Sequence, residues 1–227
     1  MNTPRVRISR FRLSQSIALL ILSSVVPMVA ITIGVIMVSI EKDVDFGLWE
    51  QYGVTYQRPL ESILDAAPLA LFGPSSERRT AAGVIDDAFI ALDKAQNEVG
   101  EALQFTREGL SSRGREAAAP AALRQEWEAL RSSGRPSADA AAVFISHVRM
   151  AIAHSGDTSN LILDPDLDSY YLMDVVLCAL PQTQDRLGSV VPCVSGWIAE
   201  GGAAAHASEI AAMRALLSEA DIARIEG

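Results

Sequence analysis

Residues 17–40, IALLILSSVVPMVAITIGVIMVSI, contain no charged side chain. A helix needs roughly 20 apolar residues to cross a hydrocarbon core about 30 Å thick, and this run of 24 meets that length. A cleaved signal peptide would carry an apolar core of about 7–15 residues and then a small-residue cleavage site. Here the run is longer and EKDVDF follows it. A buried helix of a soluble core is the other reading, but such cores rarely run through 24 uncharged residues. The expectation is an uncleaved transmembrane helix at residues 17–40. It separates a basic N-terminus, residues 1–16, from a segment at 41–227. Ser23, Ser24, Thr32 and Ser39 suit such a span, since their hydroxyls can bond back to the helix backbone. Pro27 is expected to bend it.

The flanks set the orientation. Arg5, Arg7, Arg10 and Arg12 precede the span with no acidic residue, whereas Glu41, Asp43 and Asp45 follow it with Lys42 alone of the other sign. Basic flanks stay in the cytoplasm, so residues 41–227 are expected on the other side of the membrane. All 28 acidic residues lie beyond the span, against 15 of the 19 basic ones, so that part carries a net −13. Such a surface is a poor partner for nucleic acid or anionic lipid. Cys178 and Cys193 stand 15 residues apart, about 22 Å along a straight helix. A disulfide needs Cα atoms within about 7 Å, so two buried thiols are expected rather than a bridge.

The rest of the chain reads as helices. Trp49, Tyr52, Tyr56, Pro59 and Ile63 step by three and four, as do Ile85, Phe89, Leu92, Gln96, Val99 and Leu103. That period marks one apolar stripe per helix. The first stripe implies that the span runs straight into a bundle helix, with Pro59 kinking or breaking it. Gly73, Pro74, Ser75 and Ser76 mark a turn, with Ser75 or Ser76 capping the next helix. Gly109, Ser111, Ser112 and Gly114 read as a loop. Leu123, Trp127 and Leu130 define a short helix after Pro120, and Ala141, Ile145, Val148 and Ile152 another. The most regular stripe is Tyr170, Met173, Leu177, Leu180, Gln184, Leu187 and Val191, bent at Pro181. A further pattern fills 203–217, and Ser218 would cap a helix that the chain does not finish, which points to a fragment of a longer protein. The fold expected is all-α, an up-and-down helical bundle continuous with one transmembrane helix.

No nucleophile elbow, zinc box or phosphate loop is present, so no catalysis, cofactor or metal is expected. The densest motif is DPDLDSYYLMD at 164–174. Asp164, Asp166 and Asp168 alternate as in a calcium loop, but glycine at its sixth position and glutamate at its twelfth are replaced by Ser169 and Val175. As a helix start, Asp164 caps, Pro165 fits the first turn and the acids face the positive helix end. Tyr170 belongs to the core stripe. Tyr171 and Asp174, three apart on a neighbouring face, are candidates for a polar pocket together with Tyr56 and Arg58. Arg58 would pair with a ligand carboxylate or with a protein acid. His147 resembles a phosphoacceptor only faintly, because Val148 replaces the acid that should follow. His147 and His154, seven apart, do not have the spacing of a metal pair. They read as ordinary surface or core histidines, and His206 stands alone.

Two stretches carry a resemblance: EQYGVTYQRPL at 50–60 and, about a hundred residues on, SN followed by LILDPDLDSYYLMDVV at 161–176. Together they resemble the N-terminal sensor regions of bacterial methyl-accepting chemotaxis proteins. Similar regions head some membrane histidine kinases and diguanylate cyclases. The likeness covers most of residues 1–191. It implies a sensor input that passes helix movements across the membrane, a homodimer, and a small-molecule ligand or a periplasmic binding protein as partner. The second span, the HAMP-type linker and the signalling domain of such a receptor do not occur in this sequence. A sensor kinase or cyclase input, or a structural anchor that senses nothing, are the other readings.

Overall fold

The structure is a computed structural model and describes residues 10–134, 136–159, 161, 173–200 and 206–218. The fold is all-α, and no strand occurs among the described residues. In order, the helices are α1 (Arg10–Phe72), α2 (Ser75–Val99), α3 (Arg107–Ser111), α4 (Pro120–Ser132), α5 (Ala138–Thr158), α6 (Leu180–Glu200) and α7 (Ala207–Leu216). A 3₁₀ turn, Glu116–Ala118, precedes α4, and a π-helical turn, Val175–Ala179, precedes α6.

The chain divides into two units, Met1–Gly47 and Leu48–Gly227. In the first, the described part of α1 exposes apolar side chains on every side, from Leu19 and Leu20 to Met37 and Ile40. Among the described residues, this one helix near the N-terminus is long and apolar enough to cross a membrane. A helix that is apolar all round requires an apolar surrounding. Its hydroxyls are satisfied internally: Ser23 Oγ donates to the Leu20 carbonyl at 2.9 Å and Thr32 Oγ1 to that of Met28 at 2.8 Å.

The second unit is a bundle around one core. α1 contributes Tyr56, Leu60, Ile63 and Ala67; α2 Ile85, Phe89 and Leu92; α4 Leu123 and Trp127; α5 Phe144, Val148 and Ile152. Full burial of each large apolar side chain is worth about 1.5–3 kcal/mol. Trp127 also spends its polar edge well. Its Nε1 donates to Asp86 at 3.2 Å, and Arg131 reaches the same carboxylate at 2.9 Å.

Several local expectations need correction. α1 does not break at Pro59, which is buried in an unbroken helix. Proline in a helix interior costs about 3 kcal/mol, and the buried neighbours Tyr56, Leu60 and Ile63 outweigh it. Neither Ser75 nor Ser76 caps α2: Pro74 holds the N-cap position and makes no side-chain bond. The supposed loop around Gly109 and Ser111 contains α3, because Thr106 caps it by accepting from the Gly109 N–H at 3.1 Å. Near Pro181 the backbone answers with a π-turn, the Leu180 N–H reaching the Val175 carbonyl. Proline removes a helical donor, and wider turns absorb such defects. The most regular stripe is only partly covered among its described residues: Leu177 is buried, but Leu180 and Leu187 are exposed. Neither cysteine is in a disulfide, yet Cys178 is exposed and Cys193 half-buried, so the expectation of two buried thiols fails.

Candidate functional site

The polar groups inside the bundle gather where α1, α2 and α5 meet the turn at residues 100–106. Tyr56 is fully buried on α1. Its hydroxyl donates to Gln96 Oε1 on α2 at 2.6 Å, and Gln96 Nε2 donates to the Phe105 carbonyl at 3.1 Å. Phe105 stacks on the Tyr56 ring with centroids 3.9 Å apart. Burial, with the Asp93 charge behind it, raises the phenol's pKa far above its ordinary value, so it stays a neutral donor.

The turn itself is built to deliver Phe105. Gln104 takes a positive φ of 56°, uncommon outside glycine, and the Phe105 N–H bonds back to the Gly100 carbonyl at 2.8 Å. Gly109 is required beside it, because a Cβ there would run into the Gln104 carbonyl. From α5, His154 sets its ring edge-on to Phe105 at 4.5 Å, and its Nε2 reaches the Leu103 and Gln104 carbonyls at 3.2 and 3.3 Å. One turn further on, Asp157 meets Arg115 Nη1 at 2.6 Å. That nitrogen is buried without an aligned hydrogen bond, so the contact acts through charge.

Outside this cluster lies a groove of about 470 Å³ between α2 and the start of α4. Gln96 and Phe105 form part of its wall, with Asp93, Arg124, Pro120 and Glu128 around it. The Arg124 guanidinium sits 4.8 Å above the Phe89 ring and is fixed by Asp93 at 2.6 Å and the Phe89 carbonyl at 3.1 Å. The groove thus offers carboxylates, one held guanidinium and an apolar wall. Two smaller cavities, of about 230 and 190 Å³, lie against α6 near Pro68 and Gly188 and are mostly apolar.

Of the four expected pocket residues, the described structure includes Tyr56, Arg58 and Asp174. Tyr56 is buried and engaged by Gln96. Arg58, two positions on, projects about 200° round the helix and is exposed, where its charge acts on Glu61. Asp174 is half-buried just before the π-turn. Tyr171 and the motif residues Asp164, Pro165, Asp166, Asp168 and Tyr170 lie outside the described residues. Among the described residues, no three His, Cys, Asp or Glu side chains come together as a metal group. His147 pairs with Glu126 at 2.9 Å. Gln96, Phe105 and His154 were missed as site residues. Gln96 was visible as the one polar member of an apolar stripe. Phe105 had no signal, since it lies in an aperiodic turn.

No protein-family model, no curated protein and no solved structure matches this chain.

Proposed function

We propose that the chain is the sensing input of a bacterial transmembrane receptor of the chemotaxis type, with residues 1–16 cytoplasmic and 41–227 periplasmic. The observation that carries the reading is the short path from the groove to α1: Gln96 and Phe105 line the groove and also hold Tyr56. α1 is one helix, Arg10–Phe72, that contains both this tyrosine and the uncharged stretch. A ligand that prefers one setting of Gln96 and Phe105 shifts the position of Tyr56 by that preference and no more. Aspartate, glutamate and arginine around an apolar wall suit a small polar metabolite carrying both charges. The site needs no reacting groups for this task, and the role is recognition.

The test is thermal unfolding of the full chain in lipid nanodiscs against small metabolites. A ligand at 100 times its dissociation constant adds about 2.7 kcal/mol. We expect one chemical class to raise the melting temperature, Arg124→Ala to lose the shift and Arg58→Ala to keep it. Loss with Arg58→Ala and retention with Arg124→Ala would move the ligand away from the groove. No shift with any class would remove the case for a direct sensor.

A further inference from the structure

His154 is fully buried near the end of α5. Its Nε2 faces two backbone carbonyls, those of Leu103 and Gln104. Carbonyls only accept, so Nε2 carries the hydrogen and Nδ1 is left as a lone pair. Nδ1 is buried and has no hydrogen-bond partner among the described residues. A proton placed there would find no acceptor among them.

The neighbouring charges point the same way. From the segment after α3, Arg113 and Arg115 both act on the ring as like charges. On α5, the Asp157 carboxylate is engaged by Arg115. α1 presents the neutral phenol of Tyr56 behind Phe105, and α2 the uncharged amide of Gln96. In the turn, Glu101 is exposed and the groups that reach the ring are carbonyls. Burial first, and the two arginines with it, lower the His154 pKa from its ordinary value, while the carbonyls offset part of the effect.

We propose that His154 is a proton-operated latch: the neutral ring clasps the turn at residues 100–106 to α5, and charging it releases that turn together with the Phe105 ring that steadies Tyr56 on α1. The sign follows from linkage. A base whose pKa is lowered in the fold contributes stability that is fully present above its unfolded value of about 6.5 and is lost as pH falls from there toward the lowered folded value. Protons then act on α1 through the same Tyr56 that the groove residues Gln96 and Phe105 hold. The latch depends on the sensing reading only for that consequence. It can fail its titration while ligand binding stands, and hold while ligand binding fails.

The chain has three histidines, His147, His154 and His206, so ring signals of the full chain in nanodiscs are readily assigned by single substitutions. We expect His154 to be the Nε2–H tautomer at pH 7.5 and to titrate below 6.5. Hydrogen exchange in the turn at residues 100–106, corrected for intrinsic rates, should accelerate by up to about tenfold per pH unit below 6.5. His154→Gln keeps a donor for the carbonyls but binds no proton, and should abolish that acceleration. A titration midpoint at or above 6.5 would overturn the latch. So would pH-independent exchange in the wild type, or equal acceleration in His154→Gln. If His154→Gln does not fold, the wild-type titration and exchange decide the matter by themselves.

Discussion

At the scale of single residues, Tyr56 shows how a side chain can be important without facing a ligand. The stripe it belongs to places it on the inner face of α1, and burial makes its hydroxyl a group that must be satisfied. Gln96 answers at 2.6 Å. Removing one partner of a buried pair costs more than the bond was worth, because the other is stranded. Tyr56→Phe should therefore destabilise the chain by about 1–3 kcal/mol, read from the denaturant midpoint at unchanged slope. No loss would mean that Gln96 finds another donor. Gln96 itself was legible as a polar residue at a core position. His154 was legible only as a histidine: nothing in its spacing tells that two carbonyls from a turn fifty residues earlier close on its Nε2.

Helices were the most legible level, and their ends the least. The stripes on α2, α4 and α5 are the buried faces observed, since Ile85, Phe89 and Leu92, Leu123 and Trp127, and Val148 and Ile152 all lie in the core. α3 escaped notice because five residues are too few for a period, and its start rests on a single hydroxyl, Thr106. α1 depends on a glycine where it passes α5. The Gly53 carbonyl accepts from Ser155 Oγ at 3.2 Å, and a Cβ at this position would collide with Ser159 and Leu161. Gly53→Ala gains helix propensity of about 1 kcal/mol, but forcing the helices apart costs about 1–3 kcal/mol. A net loss of stability is the expected result in equilibrium unfolding. A gain would mean that α5 yields at this point without cost.

For the whole molecule, charge and hydropathy carry the orientation proposed above, and Cys178 offers a direct test. It is exposed on the segment proposed to face the periplasm. In intact spheroplasts a membrane-impermeant maleimide should label it without permeabilisation, with Cys193→Ser as background. Labelling only after lysis would reverse the orientation. The DPDLDSYYLMD stretch carries much of the family resemblance, and all of it but Met173 and Asp174 lies outside the described residues, so the receptor reading rests on α1, the groove and the flanking charges.

Composition and periodicity by themselves determined the all-α class, the apolar span and the inward faces of four bundle helices. Those properties follow from burying one stripe per helix and from keeping charge out of 24 consecutive residues. Tertiary structure alone decided which polar groups meet. The contacts of Tyr56 with Gln96 and Phe105, and of Phe105 with His154, join residues 40 to 49 positions apart. No local period encodes them. They exist because the turn at residues 100–106 folds back over the end of the core, where a buried polar group must find its partner or raise the energy of the fold.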